Sequence, residues 1–256
     1  MNWDDHYRLW LKAQEAYRTA MEAGEDREAD EFLQDARTCV LQNGSDDWQW
    51  LGSALDDSEQ KWFVAAVFRF QAVPMQLLDD MLRAAVYERD PSGNRDFIEP
   101  CMRSHGARRV NEKLPSYFET GTNEEKAGAA SAFFWSSLLN GYEGLPYENA
   151  DDLHERQSRL MLREFVTNED LRVRQRIIPL LTLREGRYPE EWRPLVLRAI
   201  KIARAHPDGY IRHRVEIQLG AGGPYKALPN TSGEKGGAPT GHDSGSRFSR
   251  GSWLSR

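Results

Sequence analysis

The sequence predicts an all-α fold of stacked helical hairpins, and three observations carry that expectation. The first is a repeat. Asp170 is followed by Val173, Arg174, Ile177 and Leu181, and Asp208 by Ile211, Arg212, Val215 and Leu219, with matching offsets of 3, 4, 7 and 11 and a separation of 38 residues. On a helix those offsets fall on one face, so each copy reads as an amphipathic helix opened by an acid. The second is a helical segment between the copies, Pro189 to Ala205, which makes the unit a helix–turn–helix. A repeat of that length means stacked hairpins. The third is that no stretch alternates polar and apolar residues as a half-buried strand would.

The elements follow in order. Trp3, Tyr7, Trp10, Leu11, Tyr17 and Met21 recur at helical spacing. A second helix is expected over Glu25 to Leu41, with acids crowding its first turns, where they favour the positive end of the helix dipole. Trp48 to Leu55 starts a short helix, and Asp57 to Gln71 carries a degraded copy of the repeat, Asp57, Lys61, Val64 and Phe68. Pro74 opens a helix that runs to Tyr87, and Asp90-Pro91-Ser92-Gly93 breaks the chain. Helices are expected over Asp96 to His105 and Ala107 to Phe118, the second interrupted at Pro115. Thr122 to Leu139 follows, with a first half narrowed by Ala127-Gly128-Ala129-Ala130 so that a neighbour can approach closely. Gly141 to Asn149 reads as a loop, with Tyr142 and Tyr147 in it, and is a candidate functional insertion. Leu153 to Val166 is amphipathic, and Arg156, Arg159 and Arg163 form a stripe away from its apolar face. Pro179 and Pro194 stand inside helical patterns and are expected to kink them.

The acid, the paired Val-Arg or Ile-Arg and the spaced aliphatics resemble HEAT repeats of the short bacterial HEAT-like type. The match is good in Asp170–Leu181 and Asp208–Leu219 and partial in Asp57–Phe68. The resemblance implies a right-handed α-solenoid of stacked antiparallel hairpins, with a concave inner face lined by second helices. It also implies a structural ladder in which Arg174 and Arg212 bond to acids such as Asp170 and Asp208. Residues 1–220 would then be the solenoid, with 1–56 as an acidic helical N-terminal cap. Residues 221–256, with 8 Gly, 6 Ser and 3 Pro, are expected to be a disordered tail.

Charge is uneven. The net charge of −6 divides into −10 over residues 1–60, −2 over 61–150, +3 over 151–220 and +3 over 221–256. A nucleic-acid partner is disfavoured by that balance. Two cysteines, no apolar leader after Met1 and no run of ~20 apolar residues lead to the expectation of a soluble cytoplasmic protein without membrane association. No Gly-rich phosphate loop and no metal-ligand spacing stands out, so neither cofactor nor metal is expected. Cys101 and His105 lie four apart on a presumed helix, and a buried cysteine beside a surface histidine is the plainer reading than a thiolate and its base.

The leading expectation is a non-enzymatic scaffold that binds a protein partner through the concave face. Its candidate contact residues are Arg156, Arg159, Arg163, Arg193, Arg198, Lys201 and Arg204. The alternative is nucleic-acid binding of the kind found in HEAT-like DNA glycosylases, with Trp135, Trp192 and Asp170 as candidates. The composition after residue 220 makes one outcome testable. Limited proteolysis should remove the segment after about Gly220 with the far-ultraviolet helical signal of the remainder intact, and cooperative loss of that signal would show the tail to be packed.

Overall fold

The structure is a computed structural model that describes residues 2–22, 48–142, 145–183 and 188–219. Every regular element among these residues is helical, and no strand occurs among them. The expected helix over 25–41 and the tail over 221–256 lie outside the described residues. The chain divides into two compact units, residues 1–41 with 228–256, and residues 42–227.

In the first unit α1 spans Trp3–Glu22. Asn2 and Asp5 exchange side-chain-to-backbone bonds at its start, a reciprocal cap for two N–H groups that lack helical partners. Trp3, His6, Trp10 and Ala13 lie on one face and are buried.

The second unit begins with α2 (Trp48–Ala54) and α3 (Gln60–Phe68). Asp57, the acid of the degraded repeat, accepts from the backbone N–H groups of Gln60 and Glu59, and these bonds hold its carboxyl below the ordinary range. A 3-10 turn over Met75–Leu77 leads into α4 (Leu78–Tyr87). Next come α5 (Arg95–Lys113) and α6 (Pro115–Thr120). Gly106 breaks α5 with φ 79 and ψ 162, a backbone conformation that a side chain would strain, as the expected boundary between His105 and Ala107 anticipates. Pro115 starts α6 instead of interrupting a helix, since its missing N–H costs nothing in a first turn.

Then follow α7 (Asn123–Leu139), α8 (Asp151–Thr167), α9 (Leu171–Ile177), α10 (Arg193–Ala205) and α11 (Gly209–Leu219). Thr122 and Glu125 form a capping box on α7. The two prolines expected to kink helices do something else. α9 ends at Ile177, before Pro179, and Pro194 sits in the first turn of α10, where no donor is lost. The proline inside a helix is Pro100 in α5, whose absent N–H deprives the Asp96 carbonyl of its helical donor.

Packing follows two successions. α4, α7, α9 and α11 touch in turn, and so do α5, α8 and α10. Cross-contacts join α4 to α5, α5 to α7, α8 to α9 and α10 to α11. The interior is apolar, with Phe63, Phe68, Phe97, Phe165, Leu82 and Ile98 fully buried. Each such side chain contributes about 1.5–3 kcal/mol of transfer free energy.

α7 is packed on α4, α5, α6 and α9. Its small residues from Ala127 to Ala132 are all buried. At Gly128 a Cβ would stand 1.6 Å from the Val86 carbonyl oxygen of α4, so the two backbones meet where only a hydrogen fits. Helix propensity alone would gain ~1 kcal/mol from alanine there. The clash is with backbone and should win: Gly128→Ala is expected to cost about 3 kcal/mol, read as a fall in melting temperature by circular dichroism. Gly52→Ala is the control, since its Cβ would meet the end of the Asp80 side chain at 2.9 Å, and its melting temperature should stay level or rise.

Candidate functional site

The surface singled out from the sequence is the pair α8 and α10, which pack on each other. The local sequence places its cations where the apolar residues are not. Leu153, Met161, Leu162, Phe165 and Val166 turn inward on α8, and Val196, Ala199, Ile200 and Ala203 on α10. The arginines are not equivalent. Arg156 pairs with Glu119 of α6 at 2.6 Å. Arg159 pairs with Glu155 at 3.0 Å, and its guanidinium lies 4.1 Å over the Trp192 ring, which in turn stacks on Tyr188. Arg163, Arg198 and Lys201 are exposed and have no ion-pair partner among the described residues, while Arg193 is exposed and engaged. Arg204, expected on the open face, is buried and pairs with Glu216 of α11 at 2.8 Å. It lies 80° round the helix from Val196, on the side that α11 covers.

The repeat residues make a different ladder from the expected one. Asp170 caps α9 by accepting from the Val173 N–H at 2.9 Å, and Asp208 caps α11 by accepting from the Ile211 N–H at 3.0 Å. Arg174 and Arg212 do not pair with these acids. Arg174 donates to the Phe165 carbonyl near the end of α8, and Arg212 to the His206 and Pro207 carbonyls just past α10. The physical reason is the helix end: its last carbonyls have no helical donor and carry the negative pole of the dipole, whereas each carboxylate is already engaged by N–H groups. The links between repeats are amides. Gln175 donates to Asp208 at 3.2 Å, and Gln218 donates to the Ile178 carbonyl and accepts from the Leu183 N–H. Neither glutamine stood out in the sequence.

Positive charge in excess of its acidic partner collects at α9 instead. Arg89, after α4, and Arg172 approach the same Oε1 of Glu124 at 3.6 and 3.8 Å. Arg176 donates to the Arg89 carbonyl at 3.2 Å. Burial, then the neighbouring Arg172 charge, lowers the Arg176 guanidinium below its ordinary value. Only the Arg172/Arg176 spacing of four was legible, because Arg89 lies 83 residues upstream of Arg172.

Two arrangements resemble chemistry. His154 Nε2 lies 3.3 Å from the Ser137 hydroxyl in a cavity of about 280 Å³ lined also by Asn140, Tyr147, Ala150 and Asp151. The His154 ring packs on Phe133, and no carboxylate holds its other nitrogen among the described residues, so the third member of a nucleophilic relay is missing. Cys101 is fully buried and burial pushes its thiol up, while burial lowers His105, so the two do not form a thiolate and its base. Among the described residues no three His, Cys, Asp or Glu side chains gather to hold a metal ion. None of the helices among them is long and apolar enough to cross a membrane. The loop after α7 is closed by Asn140, whose side chain pairs with both backbone groups of Glu148, and leaves Tyr142 and Tyr147 exposed.

Among the described residues the most perturbed carboxyl is Asp96, in the first turn of α5. Burial pushes it up to about 8, against the pull of the Arg69 and Arg95 charges and with help from Glu99 and Glu88. Beside it Lys61 and Glu88 form a nearly buried pair at 2.6 Å.

No protein-family model, no curated protein and no solved structure matches this chain.

Asp96 generates a pH prediction. Its folded value lies above the ordinary 3.8, so the folded state keeps a proton that the unfolded chain loses between about pH 4 and 8. Stability attributable to this group is complete below pH 4 and is lost as pH rises to 8. Asp96→Asn should therefore raise the melting temperature at pH 8 and flatten its decline across that window, whereas a parallel decline in the variant would remove Asp96 as the cause.

Proposed function

We propose that the unit of residues 42–227 is a HEAT-like solenoid that binds a protein partner through the face of its second helices α5, α8 and α10, without catalysing a reaction. The observation that supports this reading is the doubled capping device. Asp170 with Arg174, and Asp208 with Arg212, each start one helix and close the one before it, 38 residues apart, along two successions of touching helices. A stack built this way presents helix faces in a row, which suits binding of an extended partner.

Within that face the residues free to meet a partner are Arg163, Arg198 and Lys201, and an acidic segment is the complement they favour. Arg156 and Arg159 serve the fold through Glu119, Glu155 and Trp192. The nucleic-acid reading draws no support from its candidates. Asp170 is occupied as a helix cap, Trp192 is buried beneath Arg159, and the Trp135 indole donates to the Pro91 carbonyl.

The test is a triple reversal, Arg163→Glu, Arg198→Glu and Lys201→Glu, compared with wild type in capture from extract of the native cells. Specific capture by the wild type, lost in the reversed protein with helicity unchanged, is the expected outcome. Capture that survives the reversal, or an absence of specific capture by the wild type, would overturn the reading.

A further inference from the structure

The α9 arginines form a site of a different kind, independent of whether a protein docks on the second helices. Three guanidinium groups and one carboxylate are brought together from three places in the chain: Arg89 after α4, Glu124 in the first turn of α7, and Arg172 and Arg176 on α9. Arg89 and Arg172 address one oxygen of Glu124, so their nitrogens lie no further apart than the sum of the two distances. Arg176 is anchored to the Arg89 backbone. Two positive charges are left over.

The donors are also left over. At 3.6 and 3.8 Å the two approaches to Glu124 are longer than hydrogen bonds. Among the described residues the three guanidinium groups make a single hydrogen bond to the protein, that of Arg176. Each guanidinium carries five N–H groups in a planar fork that matches tetrahedral oxyanions two at a time. The group is open to solvent, with the Arg89, Arg172 and Glu124 side chains 81%, 38% and 42% exposed.

We infer that Arg89, Arg172 and Arg176 form a receptor for a phosphate monoester group, with Glu124 holding the two outer arginines in place until the ligand arrives. The charge decides the ligand class. A monoester brings nearly two negative charges on one phosphorus centre, which matches the surplus, whereas a carboxylate brings one. A nucleic-acid backbone carries one charge per phosphate in a long series, and the chain's net charge of −6 opposes such a polyanion. Because guanidinium stays protonated at all working pH values, the pH dependence of binding follows the ligand's second proton, which leaves near pH 6.

The experiment is calorimetric titration of the full chain with inorganic phosphate at constant ionic strength, with chloride as control. Saturable binding that is stronger at pH 8 than at pH 5.5 is expected. Arg176→Gln and Arg172→Gln should each weaken it about tenfold, since each removes a charge-assisted hydrogen bond. Glu124→Gln should tighten it, because it removes the competing negative charge, and this variant keeps the test sharp should an arginine variant fold poorly. A short phosphoserine peptide and its unphosphorylated twin separate the sources: tighter binding of the phosphopeptide than of phosphate assigns the site to a phosphoprotein, and equal binding assigns it to a small phosphate compound. Absence of saturable phosphate binding, binding unchanged in all three variants, or binding of duplex DNA alone would overturn the proposal.

Discussion

The fold of the larger unit depends on one contact, the approach of α7 to the end of α4 at Gly128 and the Val86 carbonyl. A helix that meets another backbone to backbone has no side-chain layer to absorb error, so its axis has little room to shift. α7 passes that placement on, because it also packs on α5, α6 and α9. Its narrow first half, Ala127 to Ala132, allows the approach, while Phe133 and Leu139 further along fill the space where the helices diverge.

Away from that contact the helix ends are held by side chains. Asp57, Asp170 and Asp208 supply acceptors to exposed N–H groups, and Arg174 and Arg212 supply donors to exposed carbonyls of the preceding helix. A helix end without such partners would strand buried polar groups at about 1–3 kcal/mol each. Placing both devices four residues apart lets one turn of helix finish its predecessor and begin itself, which fixes the angle between consecutive helices.

This explains what the sequence could and could not convey. The acids were legible because an N-cap obeys a rule local to three residues, and the helix boundaries follow within a few positions. The break at Gly106 was legible for the same reason. The arginines' true partners were not, since a backbone carbonyl carries no residue identity. The amide links through Gln175 and Gln218 and the gathering of Arg89 with Arg172 and Arg176 were also hidden, because they join positions far apart whose spacing follows no helical period. Arg204 misled for a related reason. Its side chain lies on the flank of α10, and only the arrival of α11 with Glu216 decides that the flank is interior.

Gly106 has a consequence for how this protein tolerates change. By breaking α5 it creates a second helix start in mid-chain, and the N–H of Arg108 there is capped by Glu148, while the Arg108 guanidinium forks onto Asp152 of α8. Glu148 occupies the space that a Gly106 side chain would need. The same residue is clasped by Asn140, so the chain from 140 to 148 is a closed span with both feet pinned. Additions or deletions inside the span can leave the two feet, Asn140 and Glu148, joined as they are. A change of one residue between Glu148 and Asp152, by contrast, would tug on a helix forty positions upstream. A change of length should therefore be borne more easily before Glu148 than after it.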